Sequence, residues 1–391
     1  KKPREFPKFA RFFVGFLATM LANQSNCAPR TDFTNPIFTM SNPLKVGVIG
    51  VGGIAQTHFP GWKASPHAEL VAFSDPFESV LEAKAQEHGI TKKYVKPEDL
   101  IADPDIDVID ICTPSAYHAP LAIAALEAGK HVICEKPLAP TPADIDRMIA
   151  ARDKSGKLLM TAQHFRFQAD TIALKAELDS GVLGDVYHAR SWMLRRNWTP
   201  VRPGFIYKKN SGGGPCIDIG VHILDLTLWM MGHPKPVAVT GVTQDKISKL
   251  PGAFSGWGGA EIPHDADVEE FASAFVRFED GQTLILECSW QLHHPTQGED
   301  MQMWLYGTQS GAHWPSSRII TSNLETKRTK DIQLNPVNAG MEPHAFECYK
   351  FAEAITNGEP SPVPPEQSRD VQSILNALYE SADTRKEVRI G

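Results

Sequence analysis

Three residues supply the chemistry this sequence could do. Lys136 stands in Glu135-Lys136-Pro137, at the end of the apolar run His131 to Cys134, while Asp218 and His222 lie four apart in the apolar stretch from Cys216 to Gly232. A histidine of near-neutral pKa can take the proton of a hydroxyl, a neighbouring carboxylate can support the imidazolium that forms, and a lysine ammonium can stabilise a developing alkoxide. On one helix, Asp218 and His222 share a face, with Asp225 one turn further on. A helix apolar nearly all round is buried, so its polar groups need partners. Plainer readings exist for each residue: Lys136 as a solvated charge at a strand end, Asp218 with His222 as a structural pair. Gly212-Gly213-Gly214, immediately before the helix, favours chemistry because it lets backbone approach a ligand.

A second constellation binds rather than reacts. Gly50-Val51-Gly52-Gly53-Ile54-Ala55 fits G-x-G-x-x-G/A, ends a predicted buried strand and opens a helix, and Asp75 closes the next strand. Gly50 makes the tight turn, Gly52 leaves room for a pyrophosphate, the small Ala55 allows close helix–strand packing, and the amides of the helix face the anion. Gly50, Gly52, Gly53 and Ile54 are therefore cofactor-binding candidates. Asp75 would accept hydrogen bonds from the adenosine ribose and repel a 2′-phosphate, and Pro76 and Phe77 offer that phosphate no cation. This favours NAD and leaves NADP possible. The alternative is a glycine-rich turn with Asp75 as a helix cap. Thr113-Pro114 ends one predicted strand, DVIDICTP, and Glu135-Lys136-Pro137 the next, HVICEKP, so both reach the crevice beyond the carboxyl ends of a parallel sheet. Thr113, Pro114, His118, Glu135 and Lys136 complete the cofactor-binding candidates, and Pro137 keeps Lys136 out of the α region.

The elements that must position these residues follow a strand-helix rhythm. From Leu44, strands are predicted at LKVGVIG, ELVAFSD, DVIDICTP, HVICEKP and KLLMTAQHF, separated by helices that include one with Thr141 as N-cap and Pro142 in its first turn. Such repetition builds a doubly wound parallel sheet with right-handed crossovers, here over residues 40–165. Over 166–391 the pattern changes to an α+β domain with a large, mostly antiparallel open sheet. Its clearest hairpin joins FASAFVRF to TLILECSW through Asp280-Gly281, and two helices close the chain.

Composition narrows the partners. With 391 residues, 42% hydrophobic and 22% charged, the chain can bury a core, and a net charge of −7 offers no broad basic field for nucleic acid or an anionic membrane. The six cysteines are scattered and form no Cys-x-x-Cys, which reads as reduced thiols and supplies no zinc site or other metal centre. A cytoplasmic protein is expected. Residues 1–39, basic and then apolar, read as a leader or upstream extension, and as an export signal if the segment is genuine.

The stretches CTPSAYHAPLAIAALEAGKHVICEKPLA and SGGGPCIDIGVHILDLTLWMMG, in this order and far apart, resemble the glucose-fructose oxidoreductase, inositol dehydrogenase and rhizopine-catabolism (Gfo/Idh/MocA) family. The similarity runs from Lys45 to the end. It implies a Rossmann domain, a following open sheet that often pairs subunits into dimers or tetramers, bound NAD(P), and sugar or cyclitol substrates. By position, Lys136 matches the family's active-site lysine, and Asp218 and His222 its Asp-x-x-x-His pair. The Lys-Pro peptide is often cis in relatives. Only the first 39 residues depart from the pattern.

The expected reaction is hydride transfer between nicotinamide and a secondary alcohol or carbonyl of a sugar, cyclitol or related polyol. His222 would take the proton, Asp218 would support it and Lys136 would stabilise the alkoxide. Arg166, Trp192, Arg195 and Tyr207 are candidate substrate contacts. Two other classes stay open: an NAD-retaining glycoside hydrolase or lyase working by transient oxidation, and a nucleotide-bound regulator without turnover.

Overall fold

β1 (Leu44–Ile49) is apolar on both faces because both are covered, which is the condition of a central strand in a parallel sheet. The computed structural model describes residues 42–337 and 340–391, so the expected leader, 1–39, lies outside the described residues. β1 pairs in parallel with β2 (Ala68–Ser74) and β4 (Val108–Ile111). β3 (Lys92–Tyr94), β5 (His131–Glu135) and β6 (Leu159–Ala162) complete a six-stranded sheet of order β3-β2-β1-β4-β5-β6. The order reverses between β1 and β4, and that switch point is where a doubly wound sheet opens its ligand crevice.

Gly50 is forced at this point. Its φ is +85°, and a β-carbon there would stand 2.9 Å from the Cys112 carbonyl oxygen after β4. Thr141 caps the helix Pro142–Ser155 as expected, accepting a hydrogen bond from the Asp144 amide, and Gly89 closes the helix Glu78–His88 in the left-handed region.

The second sheet has nine strands. In chain order they are β7 (Val186–Arg195), β8 (Pro236–Gln244), β9 (Phe271–Phe278), β10 (Thr283–Ser289), β11 (Glu299–Gly307), β12 (Ser310–Trp314), β13 (Arg318–Asn323), β14 (Arg328–Gln333) and β15 (Val388–Arg389). Their order is β14-β13-β12-β11-β7-β10-β9-β8-β15, antiparallel throughout except for β10 on β7. The expected hairpin around Gly281 is present as β9 and β10. The buried face of this sheet, the apolar helix Val221–Met230 and the helix Pro365–Thr384 share one core.

Three findings differ from the sequence reading. The edge strand β3, Lys-Lys-Tyr, is not among the expected strands, because it carries no apolar run. Cys216–Gly220 is a π-helical turn preceding the α-helix Val221–Met230, so Asp218 and His222 do not sit on one regular α-helix. The turn accommodates Gly220 against Cys288, whose sulfur would lie 2.7 Å from an added β-carbon. In addition, the helix Pro343–Asn357, far beyond the boundary read near 165, joins the core of the first sheet through Cys348, Phe351 and Ala352.

That helix packs on the helix Ala55–Ala64, where Gly61 admits the Ala345 carbonyl and a β-carbon would collide with it. Gly61→Ala should therefore destabilise the protein by about 1–3 kcal/mol in urea titration, as overpacking does. Helix propensity alone gives the opposite sign, a gain of about 0.5–1 kcal/mol. An unchanged or raised midpoint would show that the two helices are not tightly apposed.

Candidate active site

Beyond the carboxyl end of β1, the chain turns at Gly50 and enters the helix at Ala55. β-Carbons added at Gly52 or Gly53 would meet nothing within 4 Å, so the turn faces open space. Asp75, at the end of β2, is almost buried, and its two oxygens accept the amides of Val51 (3.1 Å) and Phe77 (3.0 Å). Each carboxylate oxygen retains a further lone pair for a ribose hydroxyl. A cavity of about 410 Å³ is lined by Ile54, Thr113, Pro114, Glu135, Lys136 and Asp218, among others. An open glycine turn, an acidic residue at the next strand end and a cleft over the switch point suit a dinucleotide.

Among the expected cofactor contacts, His118 is turned into the protein. It is buried beneath the crevice, with Nδ1 and Nε2 each 2.8 Å from the carbonyl oxygens of Pro137 and Thr113. It bridges the two strand-end turns and does not line the cavity. Burial pushes its pKa down, against the pull of those carbonyls.

Lys136 and Asp218 meet across the two sheets. Lys136 Nζ donates to the Asp218 backbone carbonyl at 2.8 Å and lies 3.6 Å from its Oδ1, while Arg195 Nη1 stands 3.9 Å from Oδ2. The Lys136-Pro137 peptide is cis. A second cavity, of about 320 Å³, is lined by His222, Asp218, His164, Arg195, Arg202 and Trp257 together with apolar groups. Asp218 therefore borders both cavities.

His222 is buried between aromatic rings, stacked on Phe165 at 5.1 Å and edge-on to His164 at 4.8 Å. Its Nδ1 has no hydrogen-bond partner among the described residues, so direct support from Asp218 is not observed. The Asp218 carboxylate instead lies beside Lys136 and Arg195. The expectation of a near-neutral pKa is also corrected. Burial lowers it well below the usual histidine value, and Lys136, His164, His344 and Arg195 add to the effect. The imidazole is uncharged and free to accept a proton.

Of the four expected substrate contacts, only Arg195 reaches this cavity, where it pairs with Glu299. Arg166 is buried and held by both Asp225 oxygens, at 2.7 Å each, and by Gln367. Trp192 is one residue out of phase with Met193 and Arg195, so the strand's alternation turns it to the opposite face, where its indole donates to Asp300. Tyr207 lines neither cavity and bonds to Asp265.

Sequence reasoning missed Glu269, His164 and Trp257. Glu269 accepts the amides of Gly214 and Cys216 and the Tyr379 hydroxyl, and so anchors the glycine run. Its partners lie more than 50 residues away in both directions, and no local pattern announces such a contact. The five described cysteines are all buried and free.

Residues 44–163 match the family described as "Oxidoreductase family, NAD-binding Rossmann fold", and 171–313 match the "GFO/IDH/MocA C-terminal domain". The chain belongs to the Gfo/Idh/MocA oxidoreductase family. This oxidoreductase is 32% identical over 356 residues to D-glucoside 3-dehydrogenase of Escherichia coli K12, spanning 90% of this chain and 98% of that one. It is 26% identical to myo-inositol 2-dehydrogenase of Thermotoga maritima, spanning 89% and 98%. Levoglucosan dehydrogenase, solved with NADH and levoglucosan, shares its fold at a TM-score of 0.75, with 24% identity over 89% of this chain and 99% of that one. Residues 44–163 are thus an NAD-binding domain, and NAD is its cofactor. Among the described residues, no helix is long and apolar enough to cross a membrane.

Asp75→Asn retains an amide acceptor and removes the charge that repels a 2′-phosphate. The ratio of kcat/KM for NADP to that for NAD should rise about tenfold, because the discrimination at this position is electrostatic. An unchanged ratio would remove Asp75 from cofactor selection.

Proposed function

We propose that this oxidoreductase moves a hydride between NAD and a secondary alcohol of a ring polyol, a sugar glycoside or a cyclitol, with Lys136, Asp218 and His222 around the reacting hydroxyl. The carrying observation is that Asp218 borders both the Ile54–Lys136 cavity and the His222 cavity, so a carbon held in one is adjacent to a ring held in the other. When bound, NAD supplies the hydride acceptor. The neutral His222 accepts the hydroxyl proton, and Lys136, fixed by the Asp218 carbonyl, stabilises the developing alkoxide. Asp218 acts through Lys136 and Arg195 and offsets their positive charge.

The substrate class rests on the second cavity. Aromatic surface from Phe165, Phe205 and Trp257 faces polar groups from Arg195, Arg202 and Glu299, a combination that suits the apolar face and hydroxyl rim of a sugar ring. The relatives named above act on a D-glucoside, myo-inositol and levoglucosan. A panel of methyl glycosides, inositols and anhydrosugars, incubated with NAD and read by absorbance of the reduced nicotinamide, should give turnover with at least one of them. A panel without turnover would overturn the reading.

We also infer that the outer face of the nine-stranded sheet, bearing Trp192, Trp304 and Tyr306, is covered by a second copy of the chain. Light scattering on the purified protein should then give a dimer or tetramer mass.

His222→Ala should lower kcat by about 10²–10⁴-fold, the usual contribution of a general base, with the dissociation constant of NAD nearly unchanged. Because the His222 pKa is depressed, protonation of the base sets in only below the ordinary histidine value. The acidic limb of kcat/KM for alcohol oxidation should accordingly fall below about pH 6.5. A limb centred at or above that value would contradict the burial argument.

A further inference from the structure

The turn that carries Lys136 is itself held from below, through Glu135. On the helix following the glycine turn, His58 is fully buried directly under the end of β5. Its Nδ1 lies 3.0 and 3.2 Å from the two oxygens of Asp110, and its Nε2 3.1 Å from Glu135 Oε1. Asp110, on β4, is anchored by the Trp62 indole, which donates at 2.8 Å. Glu135 Oε2 accepts the backbone amide of Lys136 at 2.9 Å. A continuous chain thus runs from Trp62 through Asp110, His58 and Glu135 to the main chain of Lys136.

An ionised carboxylate only accepts hydrogen bonds. A neutral imidazole has one N–H, and either tautomer would turn a lone pair toward one of these two carboxylates. The arrangement is satisfied when both ring nitrogens carry a proton. Buried charges of this kind persist when they are paired on all sides.

We infer that His58 is a positioning residue for hydride transfer: held as an imidazolium between Asp110 and Glu135, it fixes the carboxylate that receives the Lys136 amide and so aims Lys136 at Asp218. This rests on the assignment of Lys136 to the reacting hydroxyl.

The other groups facing His58 fit that state. Burial pushes Glu135 up, but the His58 hydrogen bond and charge, with the charge of Lys136, hold it well below the usual carboxylate range. Glu347, 3.8 Å from Nε2, is fully buried, and burial pushes its pKa well up against the pull of His58 and the Gln163 backbone, which favours its protonated form. Burial likewise pushes the thiols of Cys112 and Cys348 up, which keeps them neutral. His344 is pushed down to about 4, chiefly by burial. One cation therefore balances two carboxylates locally, and the Lys136 ammonium completes the balance.

His58 with Asp110 and Cys348, or with Glu135 and Glu347, also has spacing that a metal ion could use. A bound metal is accordingly one outcome of the test. Full-length protein labelled with [15N]histidine should show both ring nitrogens of His58 protonated from about pH 6 to about pH 9, the range across which an unconstrained histidine loses its proton. The signal is assigned by its absence in His58→Gln. In turnover of the ring polyol used fastest in the panel above, His58→Gln should lower kcat about a hundredfold, as a displaced catalytic group does, with KM values changed far less. Because His58 acts through Glu135, the His58→Gln/Glu135→Gln double variant should lose no more than the worse single variant.

A neutral His58 tautomer in the labelled protein, undiminished kcat in folded His58→Gln, or additive losses in the double variant would each overturn the inference. So would a stoichiometric metal in the wild-type protein that is lost in His58→Gln. If His58→Gln does not fold, the wild-type nitrogen signals, assigned instead by through-bond correlation to the His58 backbone, decide. Lys136→Met separates the two readings: full turnover in that variant sinks the assignment of Lys136, whereas loss there with none in His58→Gln sinks only the role of His58.

Discussion

The hydrogen bond from Lys136 Nζ to the Asp218 carbonyl ties the end of a parallel strand in one sheet to a π-helical turn packed on the other. Much of the rest of the fold serves to keep those two points together. Gly50 permits the crevice by closing the first turn against Cys112, and Glu269 holds the glycine run from which the π-helical turn starts. The helix Pro343–Asn357 crosses from the second half of the chain into the first core, so the two sheets are not independent bodies joined only by a linker.

Around that contact, the electrostatics are divided between the two halves of the proposed reaction. Positive charge is concentrated on Lys136 and Arg195, next to where an alkoxide would form. Burial and that same positive charge keep His222 uncharged, as a proton acceptor must be. One arrangement thus lowers the basicity of the base while stabilising the anion it creates. Below the cavity, the buried His58 chain carries its charge within a closed set of hydrogen bonds and does not compete for the substrate.

Five of the six strands of the parallel sheet were legible because each is a short apolar run set between helices with their own start and stop residues, such as Thr141 and Gly89, whereas the edge strand β3, Lys-Lys-Tyr, has no apolar run to announce it. Lys136, Asp218 and His222 could be nominated because charged residues in apolar segments are conspicuous, and the structure brings them to adjoining cavities. What escaped was set by contacts distant in sequence. The 3.6-residue pattern cannot register a π-helical turn, nor the close approach of Gly220 to Cys288 within it. Trp192 and Arg195 lie on one strand, and only the sheet's pairing decides which of them faces the cavity. Arg166 looked available as an isolated cation, yet Asp225, 59 residues away, holds it. His58, with partners 52 and 77 residues off, looks like any polar residue of a surface helix.

A crystal structure of the protein with NAD and a slowly turned-over ring polyol tests the central claim most directly. The account predicts the nicotinamide in the Ile54–Lys136 cavity and one ring hydroxyl within hydrogen-bond reach, about 2.6–3.2 Å, of both Lys136 Nζ and a His222 ring nitrogen. A polyol bound with its hydroxyls turned away from both groups, or a nicotinamide outside that cavity, would contradict it.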